Sequence, residues 1–398
     1  MGELHAEQTL AGPRLTGLLG RSLPSYESLL AGISRVGRPG RELAVGLDLV
    51  RSTGLRSVGR RAREQARRGR LGADGGRPPL EALWRDAALE LGAEVVELPA
   101  GFLEIRRGER STRVWKHWVM LDDIVTARLA LEKALVHRLL ADAGLPVPEH
   151  VEFSARDLAP ARAFLERARG SCVVKPVSSA GGTGTTPGVR TPAQLQRAAL
   201  RAGRRFDRLL IEAQAPGLEH RLLFLDGRLL DVLRRTPPAV TGDGRSSIGE
   251  LIAAENERRL SAPGGPRWHL TVDLDCVFAL EHAGLSLSSV PADGVRVAVK
   301  TAINQNAPED NESVMGELSE AIVREAALAA SLVGVRLAGV DVITTDPTAS
   351  LAGRGIVLEV NATPGLHYHY AVREPQRAVR VAVPILRALL EEGSAPHT

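Results

Sequence analysis

The sequence predicts a mixed α+β protein of two or three subdomains. The chain's 398 residues can bury a large core. Amphipathic helical stretches alternate with short apolar strands along it. Two strands near the C-terminus, in Leu337 to Asp346 and Ile356 to His369, are apolar yet interrupted by acid or amide side chains. In the second, Glu359 and Asn361 are two residues apart and project from the same face; Asp341 interrupts the first. Such groups inside a buried strand are expensive unless something charged meets them. Together they form a hard-ligand set suited to Mg²⁺, which also keeps waters and nucleotide phosphates in its shell. The alternative, with both carboxylates on exposed faces and Asn361 opening a turn, is weaker because each strand is apolar on either side of the polar residue.

Composition narrows the function classes. Hydrophobic content of 44% and charged content of 25% are ordinary for a soluble globular protein. Two cysteines, Cys172 and Cys276, make no disulfide framework and argue for a reducing compartment. The opening residues lack the basic start and apolar core of a signal peptide, and no run approaches the ~18 apolar residues of a membrane helix. A cytoplasmic protein without a membrane partner is expected. The net charge of +4 raises nucleic acid as a partner, but the basicity is concentrated in Arg56 to Arg70. No aromatic residue interleaves with these arginines, so a solvated helix or flexible arm is the better reading and nucleic acid is disfavoured. Only four of the 51 basic residues are lysines: Lys116, Lys133, Lys175 and Lys300. A chain that writes arginine nearly everywhere keeps lysine where a compact ammonium is needed.

In chain order, residues 1–70 carry no assignable chemistry. From about Pro79 an amphipathic helix runs to Gly92, and a short strand follows, which makes a small α/β unit over residues 71–121. Residues 113–121 read as a further strand, with Lys116 and His117 either on the surface or lining a cleft. Asp122 or Asp123 can cap a helix over about 124–143 that contains Lys133 and stops at Gly144. Ser171 to Gly188 is a short apolar strand that carries Lys175 into a loop of Ser178, Ser179, Gly181, Gly182, Thr183 and Gly184. Glycines let backbone N–H groups approach an anion, and the hydroxyls add donors. The loop has neither the Walker A nor the Rossmann order.

After a helix at about 192–202 comes a strand with Glu212 and Ala213. A Pro-Gly turn follows, then Glu219 and Arg221, and an Asp226-Gly227 hairpin signal leading to Arg234 and Arg235. Ser247 with Glu250 makes a capping box for a helix to about Leu260. A strand then carries Lys300, followed by a polar segment, residues 304–312, expected to be mobile. A long helix over about 313–333 delivers the chain to the Asp341 strand, and a last helix spans about 376–391.

Read in this order, the chain resembles the ATP-grasp superfamily of carboxylate–amine ligases over about residues 122–391. The resemblance is carried by A-L-E-K (Ala130–Lys133), V-V-K-P-V-S-S-A-G-G-T-G (Val173–Gly184), I-E-A-Q-A-P-G-L-E-H-R-L-L (Ile211–Leu223), T-G-D-G-R-S-S-I-G-E-L-I (Thr241–Ile252), V-K-T-A (Val299–Ala302), G-V-D-V-I (Gly339–Ile343) and E-V-N-A-T-P-G (Glu359–Gly365). It is most similar to the ATP-grasp domain of cyanophycin synthetases, with glutathione-synthetase-like and D-alanine–D-alanine ligases as relatives. The resemblance implies two α+β subdomains gripping ATP, after a small N-terminal α/β domain, with a glycine-loop lid over about residues 150–212. It implies that Lys133, Lys175 and the loop Ser178–Gly184 hold the phosphates. Glu212, Ala213 and Glu219 hold the nucleoside. Asp341, Glu359 and Asn361 hold Mg²⁺, with Mn²⁺ as a substitute, and Arg234, Lys300 and Arg221 neutralise the transferring phosphoryl group. The family's N-x-x-x-G-G after the Lys-Thr segment is replaced here by I-N-Q-N-A-P-E-D-N. Asn304 or Asn306 stands at its place, and the substrate loop departs from the pattern. In L-H-Y-H-Y (Leu366–Tyr370), after Gly365, His367, Tyr368 or His369 either meets the amino-acid substrate or forms a packed aromatic cluster.

The implied activity joins an amino-acid carboxylate to an amine, giving a dipeptide or γ-glutamyl amide through an acylphosphate, with release of ADP and phosphate. Amino acids or small peptides are the implied partners, and a homo-oligomer, dimer or tetramer, is common among such relatives. No Ser-His or Cys-His nucleophile pair is evident, as phosphoryl-transfer chemistry allows. The rival readings are a nucleotide-binding regulatory or nucleic-acid module using the basic arm, a peptide-polymer elongase, and a phosphotransferase that stops at the acyl- or alkyl-phosphate.

Overall fold

The computed structural model describes residues 80–261 and 269–392. The basic stretch Arg56–Arg70 and the rest of the first 79 residues lie outside the described residues.

Helix α1 (Leu80–Glu90) buries Leu80, Leu83, Trp84 and Ala87, the three-to-four spacing of one helix face. It packs beside an antiparallel sheet of β1 (Glu94–Leu98), β2 (Phe102–Arg107) and β3 (Arg110–Trp115). The strand expected over 113–121 ends at Trp115. There the chain turns back through Lys116, at φ 56°, and Trp115 bridges to Trp118.

The single helix expected over 124–143 is two helices, α2 (Ile124–Ala130) and α3 (Lys133–Asp142). Asp123 caps α2 by accepting from Val125 and Thr126 N–H, while Asp122 accepts from the Arg336 and Leu337 backbone. The break falls where Glu132 bridges to Ser178 and the Lys133 N–H donates to the Val177 carbonyl. Docking on the glycine-loop strand replaces one turn of intrahelical bonding, and Lys133 becomes a helix start.

A four-stranded antiparallel sheet follows, built from β4 (His150–Phe153), β5 (Cys172–Pro176), β6 (Thr186–Val189) and β7 (Leu209–Ala213), in the order β4-β7-β5-β6. Helices α4 (Ala159–Arg167) and α5 (Pro192–Gly203) share a core with it through Phe153, Phe164, Leu195 and Ile211. The Ser-Gly-Thr loop joins β5 to β6. Thr191 caps α5, as a hydroxyl just before a helix does.

β8 (Leu218–Leu225) and β9 (Arg228–Arg235) form the hairpin expected at Asp226-Gly227. After β10 (Ala239–Thr241), Ser247 and Glu250 make their capping box at the start of α6 (Ile248–Ser261). Helix α7 (Leu274–His282) and β11 (Arg296–Ala298) follow, and β11 pairs with β10. The polar segment 304–312, expected to be mobile, is built into the fold. Asn306 and Asn311 are buried, Asn306 Nδ2 donates to the Thr236 carbonyl at 2.9 Å, and β12 (Asn311–Ser313) pairs with β9. That edge strand uses residues expected to start the long helix. Helix α8 (Glu320–Val333) therefore begins later, capped by Ser319 accepting from Ile322 N–H.

Strands β13 (Leu337–Thr344) and β14 (Gly355–Ala362) complete a five-stranded antiparallel sheet in the order β12-β9-β8-β13-β14. The last helix, α9 (Ala382–Glu392), starts at 382 and not 376, because Pro375–Arg377 forms a separate 3-10 turn. No helix among the described residues is long and apolar enough to cross a membrane.

Candidate active site

Cross-strand pairing decides which side chains share a face of the five-stranded sheet. Asp341 pairs with Arg221 on one side and Glu359 on the other, Gly339 with Asn361, and Glu219 with Arg235. Glu219, Arg221, Arg235, Asp341, Glu359 and Asn361 therefore lie on one face. The other face carries Leu222, Val232, Val340, Val342 and Val360, packed with Ile322, Ala326 and Ala329 of α8.

On the polar face Arg221 grips Asp341 with both prongs, Nε to Oδ1 at 2.7 Å and a terminal nitrogen to Oδ2 at 2.5 Å. This bidentate geometry is the strong form of a charge-assisted hydrogen bond. Asn361 Nδ2 donates to Asp341 Oδ2 at 3.1 Å and to the Gly339 carbonyl at 3.2 Å. Arg235 sits 3.1 Å from Glu219 and 3.8 Å from Asp341. Burial pushes the Glu219 carboxyl up to about 7, against the pull of Arg235 and with the charge of Asp341 adding to the rise. Glu359 is the opposite case: burial raises it, but Lys133 and Lys175 outweigh burial and hold it below the ordinary carboxylate value.

Lys133 meets these strands, and Lys175 meets the neighbouring four-stranded sheet. Lys133 Nζ lies 3.0 Å from Glu359 Oε1 and donates to the Ser179 carbonyl at 2.7 Å, joining the glycine loop to β14. Lys175 is buried on β5, 2.7 Å from Glu212 of β7. Ser178 accepts from Arg128 at 2.7 Å, which ties the loop's base to α2. Gly181, Gly182 and Gly184 all take positive φ, the conformation that makes glycine the economical residue here.

No family model matches the chain. It is 30% identical over 310 residues to the cyanophycin synthetase of Trichormus variabilis, covering 73% of this chain and 34% of that protein. It is 28% identical over 286 residues to the glutathione biosynthesis bifunctional protein GshAB of Pasteurella multocida, covering 69% of this chain and 38% of that one. The crystal structure of a bifunctional glutathione synthetase from Pasteurella multocida superposes with a TM-score of 0.53 at 25% identity, over 80% of this chain and 45% of that one. The chain is an ATP-grasp protein. It spans a third or a little more of the length of these sequence relatives.

Within this ATP-grasp fold the predicted site residues are not all brought together. Arg234 pairs with His220 and so lies on the apolar side of the sheet, bonded to Glu312 at 2.7 Å and Glu317 at 3.1 Å. This corrects its assignment to the phosphoryl group: the neighbouring Arg235 occupies the polar face. Lys300, also predicted there, is buried 3.0 Å from Asp273 and 3.7 Å from Asp275. Asn304, predicted to meet substrate, reaches the glycine loop, donating to the Gly181 carbonyl at 3.4 Å. A Cβ on Gly182 would fall 2.4 Å from its amide.

In the turn after β14, His367 is buried with its ring 4.1 Å from that of Tyr368, and Tyr368 lies under the Arg235 guanidinium, 5.3 Å from the ring centroid. A Cβ on Gly365 would fall 2.9 Å from His367 Cε1 and 3.1 Å from the Tyr368 ring, so a ring would have to shift to admit a side chain. Thr363, β-branched and before a proline, holds φ 54°, a strained backbone of the kind that collects at functional turns.

Sequence reasoning missed two supports. The β13–β14 register shifts beside Asp341, leaving Leu358 out of the ladder, and His137 Nε2 meets its carbonyl at 3.0 Å. A carbonyl only accepts, so Nε2 carries the proton. Burial first, then the charge of Lys175, lowers His137 to about 3 and keeps it neutral. The second support is Asp231, which joins His369 Nδ1 at 2.7 Å and Ser313 Oγ at 2.8 Å, all buried. Its one sequence signal was a lone aspartate in an apolar strand.

The polar face offers oxygen donors of the kind a hard divalent cation takes, with both Asp341 oxygens already accepting from Arg221. Asn361 commits its nitrogen to Gly339 and Asp341, so its oxygen is the atom left to meet a cation. Two carboxylates and an amide oxygen on facing strands are the donors such an ion prefers. Among the described residues no cluster of three or more His, Cys, Asp or Glu is placed to hold a metal ion, and the polar face itself brings only two carboxylates beside Asn361.

Proposed function

We propose that this chain is an ATP-dependent carboxylate–amine ligase acting on amino acids or small peptides. One observation carries the reading: a half-buried sheet face that sets Asp341, Glu359 and Asn361 against Arg221, Arg235 and Lys133, with Lys133 also touching the glycine loop. A cluster of this kind, with charge of both signs preorganised away from water, is what stabilises a transferring phosphoryl group. The names of the relatives, cyanophycin synthetase and glutathione biosynthesis protein, point to amide-forming chemistry.

In this proposal residues 150–212 form the lid. Lys133, Lys175 and the loop Ser178–Gly184 hold the phosphates, and Glu212, Ala213 and Glu219 hold the nucleoside. Asp341, Glu359 and Asn361 would hold Mg²⁺, which supplies charge neutralisation for the phosphates. A substrate carboxylate oxygen attacks the γ-phosphorus, and the bond to the ADP oxygen breaks. The amine nitrogen then attacks the acyl carbon, phosphate leaves with the C–O electron pair, and the amine gives up a proton. Arg221 and Arg235 orient and neutralise the oxygens, Arg221 also holding Asp341 in place. Glycine-loop closure keeps water from the acylphosphate.

ADP release with ATP and Mg²⁺ against amino acids singly and in pairs, with product mass in parallel, tests this. ADP that depends on a pair, with a new mass equal to their condensation, is expected. AMP in place of ADP would overturn the phosphoryl-transfer mechanism, and a phosphorylated product without condensation would make the protein a kinase.

A further inference from the structure

Lys300 is one of four lysines in the chain, and where Lys133 contacts both Glu359 and the glycine loop, Lys300 contacts two aspartates at the start of α7. It is 3% exposed, and its ammonium meets Asp273 Oδ1 at 3.0 Å, Thr271 Oγ1 at 3.2 Å and Asp275 Oδ2 at 3.7 Å. Burial opposes the charge, but the two aspartates outweigh it and hold Lys300 above its ordinary value. An ammonium so enclosed already has its counter-charges.

Each aspartate then reaches a different part of the site. Asp275 accepts from the backbone N–H groups of Thr301 at 2.9 Å and Ala302 at 3.1 Å. Asp273 caps α7 and takes Arg201 at 2.9 Å; Arg201 also donates to the Thr185 carbonyl at 2.7 Å and Thr186 Oγ1 at 2.8 Å, just after the glycine loop. From the grip of Asp275 the segment runs on to Ile303, whose carbonyl accepts from Arg235, and to Asn304, which donates to Gly181 in the loop. Gln305 closes the segment on Thr271 through its amide, Nε2 to Oγ1 at 2.9 Å. One short stretch thus touches the polar sheet face at one residue and the glycine loop at the next.

We propose that Lys300, Asp273 and Asp275 form a positioning knot that holds residues 301–305 as the link between Arg235 and the glycine loop. Lys300 then acts on loop closure and not on the phosphoryl group. The link is contiguous: Arg235, Ile303, Asn304 and Gly181 on one branch, Lys300, Asp273, Arg201 and Thr185 on the other. This rests on the reading that the loop closes over ATP.

The test is amide hydrogen exchange across residues 178–186 of the full chain, with and without the non-hydrolysable ATP analogue AMPPNP and Mg²⁺. Asn304→Ala removes only the tip contact and leaves the knot and core intact. It is expected to speed exchange in the loop about fivefold, the scale of one net hydrogen bond, with an unchanged melting temperature. Asp275→Asn should also speed exchange in the loop, from the other side of the segment and with some loss of melting temperature because it removes a buried counter-charge, and Lys300→Arg should restore part of what Lys300→Met loses. A merely structural role would raise exchange throughout the domain or lower the melting temperature without selecting the loop. Unchanged loop exchange in Asn304→Ala and Asp275→Asn overturns the proposal. Failure of the ligand to protect the loop in the unaltered chain would instead overturn the ATP reading, and the nucleotide-free comparison would still decide the link.

Discussion

The two faces of the five-stranded sheet are made by the same strands and obey opposite rules. One buries Leu222, Val232, Val340 and Val360 under α8, where volume and fit decide the outcome. The other, a residue away along each strand, holds Glu219, Arg221, Arg235, Asp341, Glu359 and Asn361, each charge answered by another. The lesson is that apolar packing and paired charge are separated here by the pleat alone. A substitution's effect depends on the parity of its position more than on its distance from the site.

The sharpest way to break this comparison is to change two adjacent arginines. Arg235→Met should lower ATP turnover by about 10²–10³-fold, the scale of losing one preorganised charge donor. Arg234→Met, on the other face, should leave turnover within about twofold and cost about 0–1 kcal/mol, as partly exposed ion pairs do. Equal losses in ADP release would mean that the faces are not separated. Leu222→Ala probes the apolar side. It should lower unfolding free energy by about 2–5 kcal/mol in urea, while the folded fraction binds ATP as before.

The smallest effect is a pH slope. Glu219 has an ordinary value of 4.5 and is raised to about 7, so the folded protein holds this proton more tightly than the unfolded chain. Its contribution to stability is full below pH 4.5 and is lost as pH rises through about 7. Melting temperatures of nucleotide-free protein between those limits should fall less steeply in Glu219→Gln than in the unaltered chain. Parallel slopes would remove Glu219 from the account.

Much of this was legible in the sequence, because the Asp341 and Glu359 strands, the glycine loop and the Asp226-Gly227 hairpin each depend on local pattern. Arg234 shows where legibility ended. A two-residue turn pairs Leu225 with Arg228, and unbroken register from there would set Glu219 opposite Arg234. The register instead shifts between Leu223 and Phe224, so Glu219 meets Arg235. One extra residue flips every later side chain, and no periodicity announces it. The surroundings of Lys300 were hidden for a related reason: its partners, Asp273 and Asp275, are more than twenty residues away in sequence. The helix break at Leu131–Glu132 likewise depends on a contact with Ser178 that only the fold supplies.

The central claim is that the polar face binds nucleotide through a divalent cation. Calorimetric titration of ATP, with and without Mg²⁺, into the unaltered chain, Glu359→Gln and Arg234→Met tests it before any substrate is known. The account predicts Mg²⁺-dependent binding that weakens at least about tenfold in Glu359→Gln, the 1.4 kcal/mol expected for losing a charged ligand, and persists in Arg234→Met. Binding that ignores Mg²⁺, or that Glu359→Gln leaves intact, would contradict it.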